Sequence, residues 1–153
     1  MHLEIEIQNA SETVDLPSKE AFTQWAQAAL IESRGAAEVV IRLVDETESQ
    51  TLNRDYRGKD RPTNVLSFPF EAPPQVPSNL LGDLVICAPV VIREAEAQNK
   101  SALSHWAHMT VHGMLHLQGF DHLDEDEAEA METQERQILC SLGFSDPYEE
   151  SSL

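Results

Sequence analysis

Residues 101–122, SALSHWAHMTVHGMLHLQGFDH, read as a helix followed by a tight return. Leu103, Trp106, Ala107, Val111, Met114 and Leu115 lie on most sides of the helix expected over 101–118, which predicts a central, buried element. Gly119 suits the position just past a helix C-terminus, where left-handed backbone carries no Cβ penalty.

The flanking segments supply what such a helix packs against. Leu3, Ile5 and Ile7 alternate with Glu4 and Glu6, the pattern of a half-buried strand. Pro17 and Ser18 open a helix whose apolar residues Phe22, Trp25, Ala26, Ala29 and Leu30 follow helical spacing, with Gly35 as the expected stop. EVVIRLV (38–44) is β-branched and nearly continuous, a more buried strand. A short polar helix is expected at about 46–56. NVLSFPF (64–70) and GDLVICA (82–88) read as two further strands, joined by the proline-rich loop EAPPQVPSN (71–79). Pro89 suits the first turn of a helix over 89–98. The last helix begins at Asp124 as N-cap with Glu127 three residues on, and its apolar positions are Ala128, Met131, Ile138, Leu139 and Leu142. The acidic run DEDEAE needs no function there, because carboxylates favour a helix N-terminus. The order β-α-β-α-β-β-α-α-α predicts one α+β domain over 1–153, with about five helices on a four-stranded, mostly mixed sheet. The candidate site falls on the central helix and its following turn.

A chain of 153 residues with 41% apolar composition can bury one real core. No apolar run reaches the roughly 20 residues of a membrane span. MHLEIEIQNA lacks a basic start followed by an apolar block, so a secretory signal is not expected and a cytoplasmic protein is. Cys87 and Cys140 are far apart and form no C-x-x-C; two buried free thiols are expected. The net charge of −17 argues against coating nucleic acid by bulk attraction. Its distribution matters more. Of ten Lys and Arg, four (Arg54, Arg57, Lys59, Arg61) fall within eight positions, whereas residues 121–153 hold eleven acids and one base, Arg136. The expected molecule carries one local basic patch on an acidic body.

His112, His116 and His122 share the spacing H-x3-H-x2-G-x2-H with the metzincin zinc peptidases. His112 and His116, four apart on a helix, present their Cβ atoms about 5–6 Å apart on one face, close enough for two imidazoles to reach one ion. After the Gly119 turn, His122 can close the coordination sphere. Three protein ligands leave one position open, the pattern of a catalytic site rather than a structural one, and the ligand type favours one zinc ion over nickel or copper. The peptidases carry a glutamate directly after the first histidine; here the residue is Gly113, so peptide hydrolysis lacks its usual base. His105 and His108 extend the same stripe. His108 is read as a residue behind the ligands or in the core, His105 as a partly exposed polar residue, and His2 offers no signal. Asp121 either orients an imidazole N–H or forms the turn.

Arg57 sits just before a Gly-Lys-Asp turn; its guanidinium can contact phosphate in bidentate fashion and steady charge on a reacting group. HGMLHLQGFDH, LNRDYRGKDRPTNVLSF (52–68) and LLGDLVI (80–86) together resemble the bacterial YbeY family of single-strand-specific endoribonucleases, in order and spacing and over nearly the whole chain. The resemblance implies an α+β fold, a zinc ion held by His112, His116 and His122, and a functional arginine at Arg57. It also implies 16S rRNA 3′-end processing and ribosome quality control. His112 and Arg57 are then the expected catalytic pair, single-stranded rRNA precursor the substrate, and the small ribosomal subunit or an assembly factor the partner. Asn64 stands where many members have Asp, and Phe120 where many have Tyr. The nucleophile, a 2′-hydroxyl or a water, stays open, and His108, Asp121 and a metal-bound water are all candidates for the leaving-group acid. Two other readings compete: an assembly factor whose metal is mainly structural, and a zincin-like peptidase.

Overall fold

The computed structural model describes residues 2–31, 36–70, 79–121 and 123–148. Nine elements run in the expected order: β1 (His2–Asn9), α1 (Lys19–Ala28), β2 (Ala36–Val44), α2 (Glu46–Arg57), β3 (Val65–Pro69), β4 (Leu80–Cys87), α3 (Ala88–Ala97), α4 (Ala102–Leu117) and α5 (Glu125–Ser141). Most ends lie within two residues of the sequence reading; the end of α1, at Ala28 and not near Gly35, is the exception. The prolines of 71–78 and the expected helix stop, Gly35, lie outside the described residues. Helix α1 has already closed at Ala29, its C-cap.

The strands form one mixed sheet in the order β1-β2-β4-β3. β1, β2 and β4 are parallel, and β3 returns antiparallel along β4. Alternation then divides the side chains. Leu3, Ile5, Val39, Ile41, Leu43, Val65, Leu84 and Ile86 join the main core with residues of α1, α3, α4 and α5. Leu66, Val85 and Cys87 point the other way and pack with Leu52 of α2. Full burial of such aliphatic side chains stabilises by about 1.5–3 kcal/mol each.

Helix α4 lies against β3 and β4, with α1, α3 and α5 around it. Ser101 caps it by accepting from Ser104 N–H at 3.1 Å. At its far end Gln118 donates to Ala29 O at 2.7 Å and accepts from Ile31 N–H at 2.8 Å, which ties the two helix C-termini together. Gly113 is the contact point with the sheet. A Cβ there would come within 2.7 Å of Leu84 Cδ2 and 3.2 Å of Val65 Cγ2. Asp124 caps α5 by accepting from Glu127 N–H at 2.8 Å, as expected.

Three burial expectations are corrected. Leu103 is 51% exposed, because the first turn of α4 projects beyond the core that Trp106 enters. Cys140 is exposed on the outer side of α5, while Cys87 is a buried free thiol. His105 is buried, at 2% exposure, and not a surface residue.

Candidate active site

The cleft is built where the C-terminal end of α2 faces the C-terminal half of α4. Its volume is about 500 Å³, and Arg57, Lys59, Arg61, Asn64, His112, His116, Asp121 and Leu123 are among its lining residues. On the α2 side, Arg57 is the last helical residue, and Gly58 follows in the left-handed region at φ 71°. Two buried polar residues one helical turn apart, Ser49 and Asn53, hold the following loop. Ser49 Oγ accepts from Thr63 N–H and donates to Thr63 O, both at 3.0 Å. Asn53 Nδ2 donates to Arg61 O at 2.9 Å. This loop therefore has a fixed course, and it sets Arg57, Lys59 and Arg61 along one wall. Among the described residues none of these three takes part in an ion pair. Three cations free of ion pairs thus face one cleft on a chain of charge −17, with Asp121 the carboxylate among its lining residues.

On the opposite wall, His112 and His116 turn their Nε2 atoms toward each other, 3.1 Å apart. Two nitrogens bound at 2.0–2.1 Å to one tetrahedral zinc stand about 3.3 Å apart. The pair thus fits a shared ion. His122 lies outside the described residues, and among the described ones no group of three or more His, Cys, Asp or Glu side chains is arranged to hold a metal.

Behind His112 is a buried polar cluster that sequence reasoning missed. His112 Nδ1 donates to one oxygen of Glu135 on α5, and the hydroxyl of Tyr148 donates to the other. Burial alone would raise the Glu135 carboxyl, but the neighbouring His108, His112 and Tyr148 outweigh it and hold the pKa near 2. Burial and the Glu135 charge push the Tyr148 phenol well above its ordinary value, so it remains a donor. His108 Nε2 lies 3.4 Å from the Tyr148 hydroxyl and 3.7 Å from Glu135. His108 is buried away from the cleft, which removes it as leaving-group acid. Asp121 is exposed on the cleft.

Glu135 had a signal in the sequence. It interrupts the apolar stripe of α5, four residues after Met131 and three before Ile138. Tyr148 had none, because a tail residue carries no periodicity.

The geometry also decides what Gly113 means. Position 113 faces Leu84 and Val65 on the sheet, not the cleft, so a glutamate there would collide with the core before reaching substrate. The peptidase reading loses its support.

Asn64 likewise has a local reason. Its Nδ2 donates to the Glu94 carboxylate at 3.1 Å, and the same carboxylate takes His105 Nε2 at 2.9 Å. An aspartate at 64 would set two carboxylates against each other.

A family model described as endoribonuclease YbeY matches residues 5–143. Among solved structures, TM1509 from Thermotoga maritima, determined in solution, is 24% identical; the match covers 95% of this chain and 100% of that one, with a TM-score of 0.51. At that identity the likeness bears on the fold alone.

Proposed function

The chain belongs to the YbeY endoribonuclease family, and on that premise we propose that it is a zinc-dependent, single-strand-specific endoribonuclease of the cytoplasm. Its role on this reading is maturation of the 16S rRNA 3′ end and quality control of ribosomes, on or beside the small subunit. The observation that carries the reading is the pairing of two walls in one cleft. Arg57, Lys59 and Arg61 face the Nε2 atoms of His112 and His116.

Each part has a task. Arg57 grips a phosphate oxygen and stabilises the charge that develops on phosphorus substituents. Lys59 and Arg61 hold the neighbouring backbone. A cleft of about 500 Å³ takes a ligand of nucleotide size and leaves a duplex outside. His112, His116 and His122 would hold the ion, which would supply Lewis acidity toward the phosphate and lower the pKa of the attacking hydroxyl. Asp121, which lines the same cleft, and a metal-bound water are the candidates for handling the leaving-group proton. Because the cations are few and local, affinity for RNA alone is modest, and a ribosomal or assembly partner delivers the substrate.

The test is cleavage of a labelled single-stranded RNA spanning a 16S precursor end, by wild type, His112→Ala and Arg57→Ala purified identically. Cleavage by wild type, with a loss of about a hundredfold or more in both variants, is expected. Equal cleavage by all three would mean a contaminating nuclease and would overturn the enzymatic reading in favour of an assembly role.

A further inference from the structure

The interior face of His112 is as specifically built as its cleft face. We propose that Glu135 is a positioning residue that holds His112 as its Nδ1–H tautomer with Nε2 turned to the cleft, and that the C-terminal tail locks Glu135 through Tyr148.

Glu135 is fully buried on α5, yet both its oxygens are engaged, one by His112 Nδ1 and one by the Tyr148 hydroxyl. A carboxylate in the interior without such donors would be costly. With them it fixes a proton on Nδ1 and leaves the Nε2 lone pair for a ligand.

The tail is tied down so that it can do this. Lys100 Nζ donates to Pro147 O at 3.1 Å. Asp146 accepts from Tyr148 N–H at 2.8 Å and from Arg136 Nε at 3.3 Å. The Arg136 guanidinium sits 5.2 Å from the centre of the Tyr148 ring, and the His108 ring meets that ring edge-on at 5.4 Å. Residues of α4, α5 and the α3–α4 link thus converge on one tyrosine whose hydroxyl has a single carboxylate to serve. His108 takes its place here as a wall of this cluster.

The tautomer assignment stands on this geometry alone; its consequence for zinc rests on the metal reading above. The experiment has two readouts. Long-range ¹H–¹⁵N spectra of the zinc-free protein report which nitrogen of His112 carries the proton. Competition against a chromophoric chelator reports Zn²⁺ affinity. The wild type should show protonated Nδ1. Glu135→Gln can satisfy only one of its two donors, so His112 should become a mixture of tautomers. Zn²⁺ affinity should fall about ten- to a hundredfold. Tyr148→Phe should keep the tautomer and lose several-fold in affinity.

A wild-type His112 protonated on Nε2 would overturn the proposal, as would a folded Glu135→Gln that binds Zn²⁺ within twofold of wild type. Should Glu135→Gln fail to fold, Tyr148→Phe decides, and unchanged affinity there counts against the lock. A wild type that binds no Zn²⁺ would sink the metal reading, and the tautomer of His112 would then decide the positioning role by itself.

Discussion

In the first half of α4, His105 and His108 are 2% and 8% exposed and face carboxylates supplied by α3 and α5. In the second half, His112 and His116 are only partly buried and turn their Nε2 atoms into a cleft lined by three cations. All four lie on one helical stripe and are the same residue type. What separates them is the partner across the helix interface. A carboxylate that meets Nε2 uses up the atom a metal would need, as Glu94 does with His105. A carboxylate that meets Nδ1 lets Nε2 turn to the cleft, as Glu135 does with His112. His105 and His112 therefore differ in which ring nitrogen the protein occupies.

The contrast breaks most directly at His116. Replacing it with alanine removes one of two Nε2 atoms that stand 3.1 Å apart, from a side chain that is only partly buried. Bound zinc should fall from one ion per chain to none measurable, with the circular dichroism spectrum unchanged. Full zinc retention by the variant would mean that His116 belongs with His105.

His105→Leu should do the reverse. It leaves Glu94 without its imidazole donor in a site where Asn64 is the other partner. Glu94 keeps Asn64 and is about a third exposed, so the lost hydrogen bond should cost about 0.5–1.5 kcal/mol, or roughly 1–6 °C in Tm for a chain of this size. Zinc stoichiometry should stay at one. Loss of zinc with an unchanged Tm would erase the distinction between the two halves.

Much of this was legible in the sequence, and the limits have physical causes. Element order and type followed from periodicity and capping signals: Ser18 and Asp124 each cap the helix they precede. The insertion of β4 between β2 and β3 was not legible, because alternation fixes which face a strand buries and says nothing about its neighbour. The histidine stripe was visible, but its sorting was not. Glu94 lies on another helix, and Glu135 is masked by the many other acids of α5. Ser49 and Asn53, which set the course of the cationic loop, looked like ordinary residues of a polar helix.

Acid titration sharpens the comparison further. Burial would raise the Glu94 carboxyl, but its hydrogen bonds from His105 and Asn64 outweigh that and hold it below its ordinary value. A carboxyl depressed in the folded state stabilises the fold above its unfolded pKa of about 4.3 and loses that contribution as pH falls through the folded value. Glu94→Gln should therefore be less stable than wild type at pH 7, and the gap should close below about pH 4. Urea midpoints at pH 7, 5 and 3.5 would measure it. A gap independent of pH would show that the amide and the carboxylate serve His105 equally well.

The smallest effect is expected at Leu103, and it tests where the buried part of α4 begins. The sequence reading placed this leucine in the core on the same footing as Trp106; the structure leaves it half exposed, in the first turn of α4. Leu103→Gln keeps helix propensity and removes only apolar surface that water already reaches, so stability should change by no more than about 0.5 kcal/mol. The urea midpoint measures that change directly. A loss of 2 kcal/mol or more, the range of a core leucine truncation, would mean that something covers Leu103. The boundary between the helix's exposed first turn and its buried body would then lie one turn earlier, ahead of His105 and the polar network it serves.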